Sequence, residues 1–160
     1  MYNTNMLKNK FLSFILFFII TFSASFIGGL VTITLKEPWY SQLIKSNFNP
    51  PDWIFAPVWT TLYLMMTLAI WLFWHSKNKD MNTIYIYLIQ IFFNTTWSIV
   101  FFGLHQIFLA LVVLIILIGL IITLIIRYKR ANFVSYYLMI PYLLWCCYAL
   151  FLNFNLLILN

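Results

Sequence analysis

Residues 49–63 read N-P-P-D-W-I-F-A-P-V-W-T-T-L-Y, three prolines (Pro50, Pro51, Pro57) and two tryptophans (Trp53, Trp59) leading straight into a long apolar run. Proline fixes φ and lacks an N–H, so it suits an extended segment or the first turn of a helix and is costly deeper in. The spacing therefore predicts a helix that begins between Ile54 and Pro57. Trp53 stands at its mouth, and Trp59 and Tyr63, four residues apart, share one of its faces. The stretch is a rigid rim that turns into an aromatic wall.

Composition says which solvent that wall meets. A chain of 160 residues that is 64% hydrophobic and 8% charged, with a mean hydropathy of +0.96, cannot hide its apolar surface in one soluble core. Backbone groups in lipid must be satisfied internally, and the apolar runs are long rather than alternating, which indicates helices and not a β-barrel. The expectation is an all-α integral membrane protein, a single domain over 1–160. Its five transmembrane helices fall at about 11–35, 54–74, 82–104, 107–126 and 133–158, with a lid-like first loop at 36–53.

The first run carries no charge and is long enough to cross ~30 Å of hydrocarbon. A secretory signal is its rival, since Lys8 and Lys10 precede it and Ser23, Ala24 and Ser25 form a small-residue triplet. A signal core is shorter, roughly 7–15 residues, and here the apolar character resumes after the triplet. Gly28 and Gly29 allow another helix to approach closely. The loop at 36–53 holds Lys36, Glu37, Lys45 and Asp52 with Trp39, Tyr40, Asn47 and Asn49. It is too polar to span and too aromatic for a plain linker, so either its rings are interface anchors or it folds over the helix ends, with a short helix near 39–45. Pro50 and Pro51 restrict its exit, and as a lid it would cover the second, third and fifth spans. His105 and Gln106 alone separate the third span from the fourth, which requires a tight hairpin. The fourth span is nearly pure Leu, Ile and Val, a lipid-facing wall stopped by Arg127, Lys129 and Arg130.

Seven cations (Lys8, Lys10, Lys77, Lys79, Arg127, Lys129, Arg130) flank one side of these spans and two (Lys36, Lys45) the other. The positive-inside rule then expects a cytoplasmic N-terminus and the first loop outside. Net charge is thus mainly a topology signal, with no basic patch of interleaved aromatics that would argue for nucleic acid.

In the third span Gln90, Asn94, Trp97 and Phe101 recur every three or four residues, one stripe on one face. Asn94 is either an amide that joins two helices or part of a cavity wall. In the fifth, Pro141, Trp145, Ala149 and Asn153 follow every four residues, and Pro141 removes a backbone hydrogen bond at depth. With Trp59 and Tyr63, three spans present aromatic or amide stripes that could converge on an apolar pocket for a large, flat ligand. The predicted spans hold no ionisable Asp, Glu, Lys, Arg or His, which removes the titrating groups of an ion-coupled transporter. The spans offer no general acid or base, and no nucleophile with a base is evident, for hydrolytic chemistry. His75 and His105 fall at opposite ends and cannot share a metal. Adjacent Cys146 and Cys147 lack redox spacing and read as core residues.

Trp39-Tyr40, Lys45, the 49–63 block, Gln90 with Asn94, Trp97-Ser98 and Phe101-Phe102-Gly103, and Pro141-Tyr142-Leu143-Leu144-Trp145 with Asn153 together resemble the tryptophan-rich sensory protein or translocator protein (TspO, peripheral benzodiazepine receptor) family. The resemblance covers all five spans. It implies a five-helix bundle, commonly a homodimer, that needs no cofactor and binds porphyrins and benzodiazepine-type ligands beneath the first loop. By matching position it implies Trp39, Trp53, Trp59, Asn94, Trp97, Trp145 and Ala149 as ligand-binding residues, beside Tyr63 from the helical spacing. In bacterial relatives the positions of Trp59 and Trp145 are associated with light- and oxygen-dependent breakdown of protoporphyrin IX, so these two are the candidate catalytic residues. Two departures stand out. Ser46 replaces the usual proline after the loop lysine, and Leu152 is followed by Phe154 with no later basic residue, unlike the sterol-recognition stretch of animal members. Porphyrin binding in sensing, trafficking or stress response is the function expected. Porphyrin degradation, and a passive transporter or scaffold subunit, are the alternatives.

Overall fold

The computed structural model describes residues 9–160, so Lys8 in the charge count lies outside the described residues. Five helices are long and apolar enough to cross a membrane: Lys10–Leu35, Asp52–Trp74, Met81–Gly103, Ile107–Ala131 and Phe133–Leu159. In chain order the α-helices are α1 (Lys10–Leu35), α2 (Trp39–Gln42), α3 (Phe55–Trp74), α4 (Met81–Ser98), α5 (Ile107–Ala131) and α6 (Phe133–Leu159). No strand occurs among the described residues. α1 packs on α3 and α4, α4 on α5, α5 on α6 and α6 back on α3, which closes a ring of five.

Caps fix where the helices start. Asn9, Asp80 and Asn132 each accept backbone N–H bonds at the first turn of α1, α4 and α6, satisfying donors that a helix leaves orphaned. The proline-rich rim behaves as its sequence requires: a 3₁₀ turn at Asp52–Ile54 leads into α3, and Pro57 sits in the first turn. At its far end α4 widens into a π-helix, Ile99–Gly103, where Leu104 N–H reaches the Ile99 carbonyl, five residues back, at 2.9 Å. His105 then takes a left-handed φ of 56°, which turns the chain into α5 within three residues.

Two expectations need correction. Arg127, Lys129 and Arg130 do not stop the fourth helix, which continues to Ala131. Basic side chains suit the negative end of the helix dipole and can snorkel to the interface, so they end the apolar segment and not the helix. Nor is α5 lipid wall all round: Ala110, Leu114, Leu117, Ile121, Leu124 and Tyr128 form a buried stripe at helical spacing, while Phe108, Ile115 and Ile122 stay exposed. The short loop helix covers Trp39–Gln42 alone.

The first loop does fold back. Trp39 lies edge-on to Phe101 at 5.4 Å and stacks on His105 at 4.4 Å. Tyr40 is buried; burial, then the Asp52 and Glu37 carboxylates, push its hydroxyl above the ordinary phenol pKa, against a hydrogen bond from Asn49. Lys45 sits 4.1 Å over the Tyr40 ring. Asn160 clasps the loop through both amide atoms, accepting from Ile44 N–H at 2.9 Å and donating to the Ile44 carbonyl at 3.1 Å. Tyr148 of α6 donates to the Phe48 carbonyl at 2.7 Å, and Lys36 pairs with Asp52.

Candidate functional site

Beneath that loop lies a cavity of about 350 Å³, walled by α1, α3, α4 and α6 and roofed by Tyr40, Asn49 and Asp52. α5 contributes none of its lining residues. α3 supplies Phe55, Ala56, Trp59, Thr60 and Tyr63, and α4 supplies Asn94, Trp97 and Ser98, with Phe101 and Phe102 from the π-helix. Ala149, Leu152, Asn153 and Leu156 come from α6. The walls are mainly apolar and aromatic with a few polar groups, the composition of a small-molecule site.

The floor is a hydrogen-bonded cluster. Tyr63 donates to Asn94 Oδ1 at 2.6 Å, Asn94 Nδ2 donates to the Tyr142 hydroxyl at 2.9 Å, and Gln90 Nε2 donates to the same hydroxyl at 2.6 Å. Both readings of Asn94 therefore hold at once: it joins α3, α4 and α6, and it lines the cavity. Above the floor, Trp97 stacks on Phe101 with ring centroids 5.4 Å apart and planes 13° apart. Trp59 packs on Tyr63 at 5.7 Å and on Tyr142 at 6.3 Å.

Several polar atoms at the cavity have no partner among the described residues. The Trp97 indole N–H, Asn49 Oδ1 and Asn153 Oδ1 are buried without a hydrogen bond, although Asn49 donates to Tyr40 at 3.0 Å and Asn153 to the Ile107 carbonyl at 3.5 Å. Unsatisfied buried groups are costly. A ligand with acceptors and donors along its edge would satisfy them, and Lys36 at the mouth adds a cation.

Of the eight residues expected in the site, five line it: Trp59, Tyr63, Asn94, Trp97 and Ala149. The other three do not. Trp39 lies behind Phe101 and Trp145 behind Phe55, at 5.4 and 6.0 Å between centroids, each one ring removed from the cavity. Trp53 is 73% exposed on the outside of the rim. Trp145 instead lines an apolar groove between α3 and α6 with Pro57, Thr61, Met65, Pro141 and Tyr148. Four-residue spacing precesses around a helix of 3.6 residues per turn, so the stripe from Pro141 to Asn153 begins in that groove and ends in the cavity. Tyr142, one residue past Pro141, takes the inward position.

Sequence reasoning missed the α1 wall. Ser25, Gly28, Gly29, Thr32 and Lys36 all line the cavity, and their spacing of three, one, three and four is a helical stripe of small or polar residues inside an apolar span. Gly28 was expected to admit another helix, and it does: a Cβ there would stand 3.0 Å from Ser98 Oγ of α4. Gly29 meets nothing within 4 Å, because it faces the cavity.

A family profile described as TspO/MBR matches residues 15–159. The chain is 33% identical over 145 residues to "Tryptophan-rich protein TspO" of Chlorobaculum tepidum, covering 86% of this chain and 89% of that protein. It is 34% identical over 137 residues to the protein of the same name from Archaeoglobus fulgidus, covering 84% and 88%. The human "Translocator protein" is 31% identical over 120 residues, 72% of this chain and 71% of its own.

Proposed function

The chain belongs to the TspO/MBR family and is an integral, multi-pass membrane protein, and from that premise we propose that it binds a porphyrin of the protoporphyrin IX type in the cavity beneath the first loop, in tetrapyrrole sensing, trafficking or stress response. The observation that carries this reading is the cavity wall: Trp59, Trp97 and Phe101 offer flat faces, while Lys36, Asn49, Asn153 and the Trp97 N–H offer polar partners around them. Each good aromatic contact contributes roughly 0.5–1.5 kcal/mol beyond area burial. Carboxylates on the macrocycle edge would meet Lys36 at the mouth, in competition with Asp52. A tetrapyrrole with its side chains exceeds a cavity of about 350 Å³, so the lid must lift for it to enter. The protein acts in this reading as a homodimer, with its N-terminus in the cytoplasm and the lid outside.

Protoporphyrin IX titrated into the protein in detergent tests the reading: tryptophan quenching should saturate at a fixed stoichiometry, and linear quenching without saturation would reject a specific site.

One observation favours a second reading, light- and oxygen-dependent breakdown of the bound porphyrin. Trp59 lies on the cavity wall in ring contact with Tyr63 and Tyr142. Trp145 stands behind Phe55, so this reading gives the reaction to Trp59. Under illumination in air, Trp59→Phe protein should lose most of the porphyrin-consuming rate while Trp145→Phe keeps more of it. Equal wild-type rates in both variants would remove indole chemistry from the account.

A further inference from the structure

The end of the bundle away from the lid has an imbalance of charge that topology alone leaves unused. Of the chain's three acidic residues, Glu37 and Asp52 lie at the lid, and Asp80 is engaged with Arg127 at 3.4 Å and with the first turn of α4. Among the described residues Lys10, Lys77, Lys79, Lys129 and Arg130 therefore face no carboxylate.

Within this end one spot is organised. His75, just past α3, has its Nε2 2.8 Å from Ser13 Oγ of α1. Ser13 Oγ donates to the Lys10 carbonyl at 3.0 Å, so its proton is committed and His75 Nε2 is the donor in their contact. The remaining ring nitrogen, Nδ1, has no partner among the described residues. Trp71 fixes the surroundings, with its indole N–H on the Lys10 carbonyl at 2.9 Å and its ring 5.6 Å from the imidazole. Lys79 sits over the Trp74 ring at 4.5 Å. Indoles at this level are interface anchors, and the face of α3 in line with His75, seven and eleven residues earlier, is apolar and open, with Leu68 38% and Leu64 43% exposed.

We propose that this spot, His75 with Lys10 and Lys79 beside it, binds the phosphate headgroup of an anionic phospholipid whose acyl chains lie along Leu68 and Leu64 of α3. The Lys10 backbone is fixed on Trp71 and the Lys79 ammonium on Trp74, next to His75; two such cations suit a phosphodiester, and the apolar face of α3 below them argues for a lipid over a free anion. The inference is independent of the porphyrin reading, since it uses no residue of the cavity.

His75 also reports on occupancy. Burial, then Lys79 and Lys10, hold its imidazole below the usual histidine pKa. The groups facing it are Lys10 and Ser13 from α1, Trp71 from α3 and Lys79 from the following loop. An anion between the lysines cancels their repulsion and offers Nδ1–H an acceptor, so binding should raise the pKa. His105, the only other histidine, lies at the lid end and serves as an internal reference.

The test is histidine-labelled NMR in phosphatidylcholine nanodiscs with stepwise addition of phosphatidylglycerol. The expected result is a saturable rise of the His75 midpoint, larger than any movement of His105. Lys10→Gln and Lys79→Gln, both at exposed positions, should each weaken the effect about five-fold, as expected for one basic side chain near an anionic surface. Three results would overturn the proposal. His75 and His105 could rise together, which is surface potential alone; inorganic phosphate in pure phosphatidylcholine could reproduce the shift, which is a free-anion site; or the lysine variants could behave as wild type.

Discussion

The two halves of the bundle are made of the same helices, and one is hollow while the other is full. Toward the lid, α1 presents Ser25, Gly28, Gly29 and Thr32 to its neighbours and a cavity opens. One to three turns earlier the same helix presents phenylalanines: Phe14 meets Trp71 edge-on at 5.8 Å, Phe17 meets Trp74 at 6.2 Å and Phe22 meets Tyr63 at 6.1 Å. Phe73, Tyr87, Tyr128 and Met139 fill the remaining interior of that half and are fully buried. Tyrosines that stand in this core find partners or pack tightly, as Tyr87 does with Thr21 and Tyr128 with Phe73 at 5.1 Å. Side-chain size along α1 therefore decides where the interior is empty. The aromatic content is high in both halves and does not distinguish them.

The contrast can be broken from the full side first. Phe17→Ala opens a void where Phe17 is 3% exposed, and a Phe→Ala change in a packed interior costs about 3–5 kcal/mol; a fall in unfolding free energy in detergent, with porphyrin affinity little changed, is the expected outcome. Filling the hollow side should do the reverse. Gly29→Phe places a ring in open space and removes a mid-helix glycine that costs the helix roughly 1 kcal/mol, so stability should hold while affinity falls about ten-fold, the upper end of one lost aromatic contact.

The floor between the halves comes next in size. Asn94→Leu leaves the Tyr63 and Tyr142 hydroxyls short of a partner, and interhelical hydrogen bonds in membranes are worth about 0.6–1.7 kcal/mol. A loss in that range by unfolding in detergent, accompanied by weaker porphyrin binding, would place the amide in both roles. The smallest effect is expected furthest from the contrast. At Asp80 desolvation favours the neutral acid, but Thr83 donates to the carboxylate from its hydroxyl and backbone, and with Arg127 these hold its pKa below the usual carboxylate range. Such a depressed group contributes stability that is complete above the ordinary carboxylate pKa and is lost as pH falls through the lower folded value. Asp80→Ala should cost about 1 kcal/mol at neutral pH and flatten the acid limb of the stability curve.

Much of this was legible in the chain. The five spans follow from uninterrupted apolar runs, the start of α3 from Pro50, Pro51 and Pro57, and the tight hairpin from the two residues between the third and fourth runs. Trp59, Tyr63, Asn94 and Trp97 were found because rings and amides at helical spacing are conspicuous in a span. The α1 wall was not, because glycine, serine and threonine read as helix-packing residues until a partner's position is known, and Gly28 both admits α4 and lines the cavity while Gly29 only lines it. Trp145 lies off the cavity for a different reason: periodicity gives a face but not which of two hollows it meets, and a single ring, Phe55, stands between it and the cavity. Trp39, implied by the resemblance and not by spacing, sits behind Phe101 in the same way. The lid clasp at Asn160 pairs residues 116 apart, a contact that no local pattern announces.

In the proposed reading the ligand occupies the cavity under the lid and not the groove between α3 and α6. Trp59 belongs to the first and Trp145 to the second, so protoporphyrin IX affinity measured side by side for Trp59→Ala and Trp145→Ala separates them. A loss of about ten-fold is expected for Trp59→Ala, the upper end of one aromatic contact, and a change of less than about three-fold for Trp145→Ala. The reverse order, with Trp145→Ala abolishing binding and Trp59→Ala near wild type, would contradict it.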